Sequence, residues 1–349
     1  MDLCFDARMI ESGGIGTYIK AILPAILRSF DTTLLGNPAI LSKTFPGAQV
    51  IPFHAPLYSL REQLQQPFLL PRCRLFFAPH ISTSIFPLRA KHLVTTIHDT
   101  YHLDHPEQFS LPKRAIGRLL YSRAMERSTK VITVSQFSRG RLASHFPQKQ
   151  EKCFVIPNGV PSIYQRVVDP AHLQAIRNKY KLPQHFLLAV GNSRPNKNFA
   201  RLIAAAQLLH LPLVMVSRRD RFLEELDGVQ FTGYLPDVDL PPLYSLATLF
   251  VFPSLYEGFG LPPLEAMACG CPVVASSIGA IREICGDAVC YIDPLSTQDM
   301  AKKIKSVYHN SVEQRDLREK GYQRVLQFSI EQTSQSHLSL LKNLHFAQP

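Results

Sequence analysis

Long apolar runs, paired cysteines and a high density of charge are all missing from this sequence. No stretch of about 18 apolar residues occurs, so no segment is expected to span a bilayer as a helix. The cysteines (Cys4, Cys73, Cys153, Cys269, Cys271, Cys285 and Cys290) are scattered and contain no C-x-x-C pair. That spacing argues against a metal cluster and suits a reducing, cytosolic compartment. The opening MDLCFDAR is acidic early and short of apolar residues, so no secretion signal is expected. Charged residues make up 19% and hydrophobic ones 46%, which are values of a globular rather than a disordered chain. Aromatic stacking motifs and basic recognition helices are not evident, so the net charge of +11 is not taken as a sign of nucleic-acid binding.

What is present is a chain of 349 residues, long enough for two domains with buried cores. Its charge is unevenly shared. Residues 1–165 carry 19 Lys/Arg against 10 Asp/Glu, or +9, and residues 166–349 carry 19 against 17, or +2. A basic first half can serve anionic lipid or a phosphorylated substrate.

The first half alternates buried-strand runs with helical segments, which predicts α/β layering. Asp2–Ala7 reads as a strand, followed by a flexible turn at Gly13, Gly14 and Gly16 and a helix over about Tyr18–Arg28. A glycine-rich turn at a helix start is a phosphate-approach device, though such turns also serve packing alone. Further strands are expected near Thr33–Leu35, Val50–Phe53 and Leu75–Ala78, with a helix over about Leu57–Gln66. The run His92–Asp99 ends in His98-Asp99-Thr100, and ligands of open α/β sheets sit beyond such strand ends. His102 and His105 have a metal-like spacing, but no third ligand suggests itself. Leu111–Ser128 reads as a helix with Ile116, Leu119, Leu120 and Met125 on one side and basic residues elsewhere. It is either a solvated face or a dock for anionic lipid. Lys130–Ser135 is a strand, with Ser135 capping the next helix. Val155–Gly159 closes the half, and Pro161–Pro170 reads as linker.

The second half restarts the pattern. The strand Phe186–Gly191 runs into NSRPNKN and a helix from Phe199, which places Arg194 and Lys197 where cations meet a diphosphate. Asp237-Val238-Asp239 matches a D-x-D metal pattern, but it precedes an apolar-periodic helix and is better read as helix capping. The most informative stretch is Phe252–Ser276, FPSLYEGFGLPPLEAMACGCPVVAS: strand, glycine loop, helix, strand. Gly258 and Gly260 permit a tight turn close to a ligand. Pro262 and Pro263 suit a first helical turn. Glu257 in the loop and Glu265 in the first helical turn are acceptor-only groups, and a carboxylate can take both hydroxyls of a diol. The bland alternative is that Glu265 merely favours the helix start and Glu257 is a solvated loop acid.

With these motifs the chain resembles the retaining, metal-independent glycosyltransferases of the glycosyl transferases group 1, or family 4, class. The two glutamates inside EGFGLPPLEAMACGCPVVAS are the specific part. GNSRPNKN and GGIGTY narrow the likeness to bacterial surface-polysaccharide mannosyltransferases. The resemblance implies an α/β GT-B fold of two Rossmann-like domains whose parallel sheets face an interdomain cleft. It implies an acceptor-binding domain over 1–165, a nucleotide-sugar domain over 166–330, and a helix over about 330–349 that packs back on the first. It implies transfer of a hexose, mannose from GDP-mannose first and a UDP-sugar second, to a glycan or lipid-linked acceptor. No cofactor or metal is expected. The protein is expected in the cytoplasm, peripheral at the inner face of the plasma membrane. By resemblance Glu265 holds the ribose, and Glu257 with the N–H groups of Phe259, Gly260 and Leu261 faces donor sugar and diphosphate. Arg194 and Lys197 neutralise the diphosphate, Gly14 and Gly16 approach it, and His98 contacts the donor sugar near the reacting carbon. One departure is Asn192, where many members carry Arg. Retention by front-face attack leaves no nucleophile to name. A non-catalytic nucleotide-sugar-binding subunit is the rival of a different class.

Overall fold

Short runs of Val, Leu, Ile and Phe become parallel strands, buried in the middle of a sheet and partly exposed at its edges, and they do so twice. The computed structural model describes residues 1–217 and 227–346. It divides into two units, Met1–Gly159 with the segment from Ile330 onward, and Val160–Ser329.

Among the described residues of the first unit the strands are β1 (Leu3–Asp6), β2 (Thr32–Gly36), β3 (Gln49–Pro52), β4 (Cys73–Ala78), β5 (Ala90–Ile97), β6 (Lys130–Thr133) and β7 (Cys153–Val155). They pair in parallel in the order β3-β2-β1-β4-β5-β6-β7. Those of the second unit are β8 (Leu187–Val190), β9 (Leu213–Val216), β10 (Val229–Phe231), β11 (Leu249–Phe252), β12 (Val273–Ser276) and β13 (Cys290–Ile292). Their order is β10-β9-β8-β11-β12-β13, again parallel. Each sheet changes winding direction once, between β1 and β4 and between β8 and β11. The carboxyl ends of those strands are the switch points at which such sheets bind ligands.

In the first core Leu3, Phe5, Leu75 and Phe77 of the sheet meet Ile19 and Ile22 of the Gly13–Ser29 helix. The Ile330–Phe346 helix adds Leu341 and Leu344 to the same core. Ser334 Oγ donates to Ala21 O at 3.2 Å and Thr333 Oγ1 to Pro157 O at 2.8 Å. His337 is buried there, and desolvation lowers its pKa to about 4. Its Nδ1 faces Thr333 O at 2.7 Å, so Nε2 accepts from the Tyr18 hydroxyl at 2.6 Å. Residues 347–349 lie outside the described residues. In the second unit Leu187, Leu213, Met215, Leu249 and Val251 pack on Leu202 and Ile203 of the Phe199–Leu208 helix.

Several local expectations are corrected. Gly13, Gly14 and Gly16 form no flexible turn: the helix begins at Gly13. Gly16 is buried so tightly that a Cβ would stand 2.4 Å from Ile10 O, so the residue allows helix and loop to touch. The helix expected over about Leu57–Gln66 runs over Leu60–Leu69, started by Ser59 Oγ accepting from Glu62 N. In the Leu111–Arg127 helix Leu120 and Met125 are buried, but Ile116 and Leu119 are exposed, because only its second half meets the sheet. Ser135 does cap the Gln136–His145 helix. Asp239 caps nothing with its side chain. It is buried and takes Lys179 Nζ at 2.6 Å together with the Tyr180 hydroxyl.

Candidate functional site

The carboxyl ends of β8 and β11 carry the two motif loops, and side-chain amides stitch these loops together. After β8 the chain passes through a 3-10 turn, Pro195–Lys197, into Asn198. Asn198 adopts the left-handed conformation at φ 58°, which Asn tolerates better than most residues. It is buried, and its Nδ2 donates to Pro253 O at 3.0 Å and Pro294 O at 2.7 Å. One amide thus ties together the loops that follow β8, β11 and β13. Asn196 Nδ2 donates to Tyr256 O at 3.2 Å, and Leu255 N donates to Asn196 O at 2.7 Å.

On this frame Lys197 Nζ and Glu257 Oε1 lie 2.6 Å apart. The ammonium also lies 5.4 Å from the Phe252 ring centroid. Arg194 is exposed, and its backbone N–H donates to Asn192 Oδ1 at 3.3 Å. The loop then reaches Gly260, which caps the Leu261–Ala268 helix at φ +102°. A Cβ there would stand 2.4 Å from Ile281 Cδ1, so both conformation and space require glycine. Phe259 is buried edge-on against Phe328, with ring centroids 5.8 Å apart. Pro262 and Pro263 lack N–H groups, so among the first four helical residues only Leu261 and Leu264 carry a backbone donor.

Glu265 is the fifth residue of that helix, in its second turn rather than its first. Only 6% of it is exposed. Burial pushes its carboxyl up to about 7, hydrogen bonds from the Tyr244 and Tyr164 hydroxyls pull the other way, and nearby Asp237 adds to the rise. The Tyr244 hydroxyl lies 3.2 Å from Glu265 Oε2. Burial drives both tyrosine hydroxyls well above their ordinary range, so they stay protonated and donate. Asn196, Asn198, Tyr164 and Tyr244 are site residues that the motifs alone miss. Tyr164 falls in the segment read as linker, which is instead fastened to the second unit by Val160 N to Phe328 O at 2.8 Å and Val167 N to Ser245 Oγ at 3.0 Å.

In the first unit His98 follows β5 directly. Its Nε2 lies 2.9 Å from Pro79 O, so that nitrogen carries the proton. Burial holds its pKa below the ordinary value, against the opposing pull of this bond and of Asp99, so the ring is neutral. It packs edge-on against Tyr18 at 4.9 Å. Gly14 is exposed in the first helical turn with nothing within 4 Å of a built Cβ. His102 stacks on Phe109 and His105 meets Glu107. Among the described residues no group of three His, Cys, Asp or Glu is placed to hold a metal ion.

A buried charge network closes the carboxyl end of β1. Arg8 bridges Asp6 and Glu62, at 2.5 and 2.6 Å, and lies over the Phe53 ring at 4.1 Å. Glu62 Oε2 also accepts from Tyr58 N at 2.6 Å and Ser82 Oγ at 2.5 Å. His80 Nδ1 accepts from Ser82 N, which leaves Nε2–H facing Asp6 Oδ2 at 3.3 Å.

A sequence profile described as glycosyl transferases group 1 matches residues 174–324, and one for glycosyltransferase family 4 matches residues 13–162. The Escherichia coli O-antigen chain mannosyltransferase B is 31% identical over 286 residues, spanning 77% of this chain and 73% of that protein. The serotype-specific mannosyltransferase WbdA of Escherichia coli is 31% identical over 235 residues, or 62% of this chain but 28% of that longer protein. Among solved structures, Anabaena Alr3699/HepE in complex with UDP and glucose superposes with a TM-score of 0.78 at 20% identity, covering 98% of this chain and 100% of that one. That last likeness speaks for the fold alone.

Proposed function

Since the chain belongs to the group 1, family 4 glycosyltransferases of GT-B fold, we propose that it transfers mannose from GDP-mannose, with retention and without a metal. The acceptor in this proposal is a glycan or lipid-linked glycan of a bacterial surface polysaccharide, met at the inner face of the plasma membrane. The observation that carries it is the Lys197–Glu257 pair, 2.6 Å apart on the loops at the switch-point ends of one sheet, with the buried carboxyl of Glu265 on the helix that follows the second loop.

Loss of the nucleoside diphosphate builds negative charge on phosphate and positive charge on the sugar. Lys197, Arg194 and the N–H groups around Gly260 and Leu261 suit the first, and fixed donors of this kind need no reorganisation as charge develops. Glu265, held by two tyrosines, suits a ribose diol. Glu257 is assigned to the donor sugar, where it positions or stabilises charge once Lys197 turns to phosphate. His98, neutral with its proton on Nε2, contacts the donor sugar. Gly14 and Gly16 remain candidates for diphosphate approach, although the burial of Gly16 favours Gly14.

Mannose is supported by the two mannosyltransferase relatives. A UDP-sugar is the second possibility, favoured by the UDP and glucose named for the structural neighbour. A thermal-shift screen of GDP-mannose, UDP-glucose, UDP-galactose and UDP-N-acetylglucosamine decides between them. Stabilisation by GDP-mannose alone, with release of GDP on adding acceptor, is the expected outcome. A shift with none of them sinks the proposal. A shift without any transfer or donor hydrolysis would favour a binding subunit.

A further inference from the structure

The Leu60–Leu69 helix is built inside out. Its polar residues Glu62, Gln63 and Gln66 are buried, while Leu60, Leu64 and Phe68 are 72%, 47% and 79% exposed. These three lie four residues apart and form one stripe along the helix. The inversion is fixed rather than incidental. Glu62 is held by Arg8, Ser82 and Tyr58 N. Gln63 Oε1 accepts from Ile85 N at 2.8 Å and Gln66 Oε1 from Ser84 N at 2.6 Å. Rolling the helix to hide its leucines would take from Arg8 one of its two carboxylate partners and leave the N–H groups of Ser84 and Ile85 unpaired. The loop it grips leads straight to Phe86, itself 42% exposed. Arg127 NH1, at the end of the basic Leu111–Arg127 helix, donates to Ile85 O on the same loop at 2.8 Å.

The exposed charge of the chain segment that carries this stripe has one sign. Between Asp31 and Asp99 the single acid is Glu62, against six bases, Lys43, Arg61, Arg72, Arg74, Arg89 and Lys91. Glu62 is fully buried and paired. Arg61, Arg72, Arg89 and Lys91 are exposed. An apolar stripe in a segment whose exposed charges are all cations matches an anionic lipid surface, where the side chains enter the acyl boundary and the cations meet headgroups.

We propose that Leu60, Leu64, Phe68 and Phe86 form the face by which the first unit docks on an anionic membrane. The proposal rests on the membrane part of the function above and narrows it from a basic half to one helix and one loop. The transfer chemistry does not depend on it.

The full chain is spun with vesicles of phosphatidylcholine alone or mixed with phosphatidylglycerol, at low and at high salt. A variant combining Leu60→Gln, Leu64→Gln and Phe68→Ser is run beside it. A second variant, Arg61→Glu with Arg72→Glu, tests the charge. Wild type should pellet with the mixed vesicles and less so at high salt. Both variants should lose about tenfold or more of that partition, as expected when large apolar side chains or paired charges no longer contribute. Unchanged melting and an unchanged thermal shift with nucleotide sugar would show that fold and donor site are intact. Equal pelleting of the apolar variant overturns the docking face while leaving membrane binding in place. Absence of wild-type pelleting, with the donor shift retained, overturns the docking face and the membrane part together and leaves the transferase assignment standing. A dimer that the apolar variant dissolves, with vesicle binding unaffected, assigns the stripe to a second copy instead.

Discussion

Lys197 and Glu257, sixty residues apart in sequence, meet at 2.6 Å where two motif loops are stitched side by side. The cation assigned to phosphate in the proposed function is thus paired with a carboxylate. On that proposal a donor divides the pair, or inserts so that the ammonium bridges carboxylate and phosphate. Either way the pair keeps Lys197 aimed at one place while its charge waits for a partner.

Replacing Lys197 by Ala should therefore hurt turnover much more than stability. The two side chains are 17% and 15% exposed, so desolvation offsets much of their attraction, and the remaining solvent access lets a lone Glu257 hydrate in the variant. Loss of a preorganised charge at a leaving diphosphate costs on the order of a hundredfold in kcat/KM. Parallel melting curves and steady-state rates check this. Wild-type turnover by the Ala variant would remove Lys197 from the mechanism.

Asn198 offers the reverse contrast. Asn198→Asp keeps the shape and the left-handed backbone but turns a donor into an acceptor facing Pro253 O and Pro294 O. Two buried carbonyls lose their partner, a cost of about 2–3 kcal/mol. The melting temperature of the second unit should drop by several degrees, with activity falling as the loops after β8, β11 and β13 separate. Unchanged melting would show that the amide is not what ties the loops.

The two helix-start glycines should behave oppositely. Gly16→Ala drives a methyl into Ile10 O and should destabilise the first unit by about 1–3 kcal/mol. Gly14→Ala meets nothing and should melt at or above the wild-type temperature. A raised KM for donor in Gly14→Ala, at unchanged stability, would mark Gly14 as the position of diphosphate approach. An unchanged KM would remove Gly14 from diphosphate approach and leave Gly16 as a matter of packing alone.

The strand pattern was legible because parallel strands buried on both faces read as unbroken apolar runs such as FLLAV and LFVF. Helix starts were less so. GGIG reads as a turn by propensity, yet tertiary packing of Gly16 on Ile10 makes it helical. The helix expected over about Leu57–Gln66 is present at Leu60–Leu69, but which face it buries is opaque: apolar spacing marks the face that is usually buried, and here Glu62 and its partners take that face. The glutamate motif pointed to Glu257 and Glu265, because their chemistry is local to one loop and helix. Tyr164, Tyr244 and Asn198 act through pairings tens of residues distant, and no local pattern encodes those.

Glu265 carries the pH dependence. In an unfolded chain its carboxyl loses its proton near its ordinary value of 4.5, whereas in the folded chain it keeps it up to about 7. Below 4.5 both states are protonated and the residue does not affect stability. Between 4.5 and 7 the folded state binds the extra proton, so stability falls as pH rises, by up to about 1.4 kcal/mol per unit. Above 7 the accumulated cost remains. Glu265→Gln removes it, so this variant should melt above wild type at pH 8 and level with it near pH 4. If Glu265 takes the ribose hydroxyls as proposed, it does so as the ionised acceptor, so donor affinity in wild type should weaken about tenfold per unit below pH 7. Tyr164→Phe deletes one of the hydrogen bonds that draw the carboxyl back down. The midpoint of donor affinity against pH, followed by calorimetry, should then move upward while affinity at pH 9 stays near that of wild type. A midpoint that stays in place, with affinity lost equally at every pH, would mean that Tyr164 serves packing rather than the ionisation of Glu265.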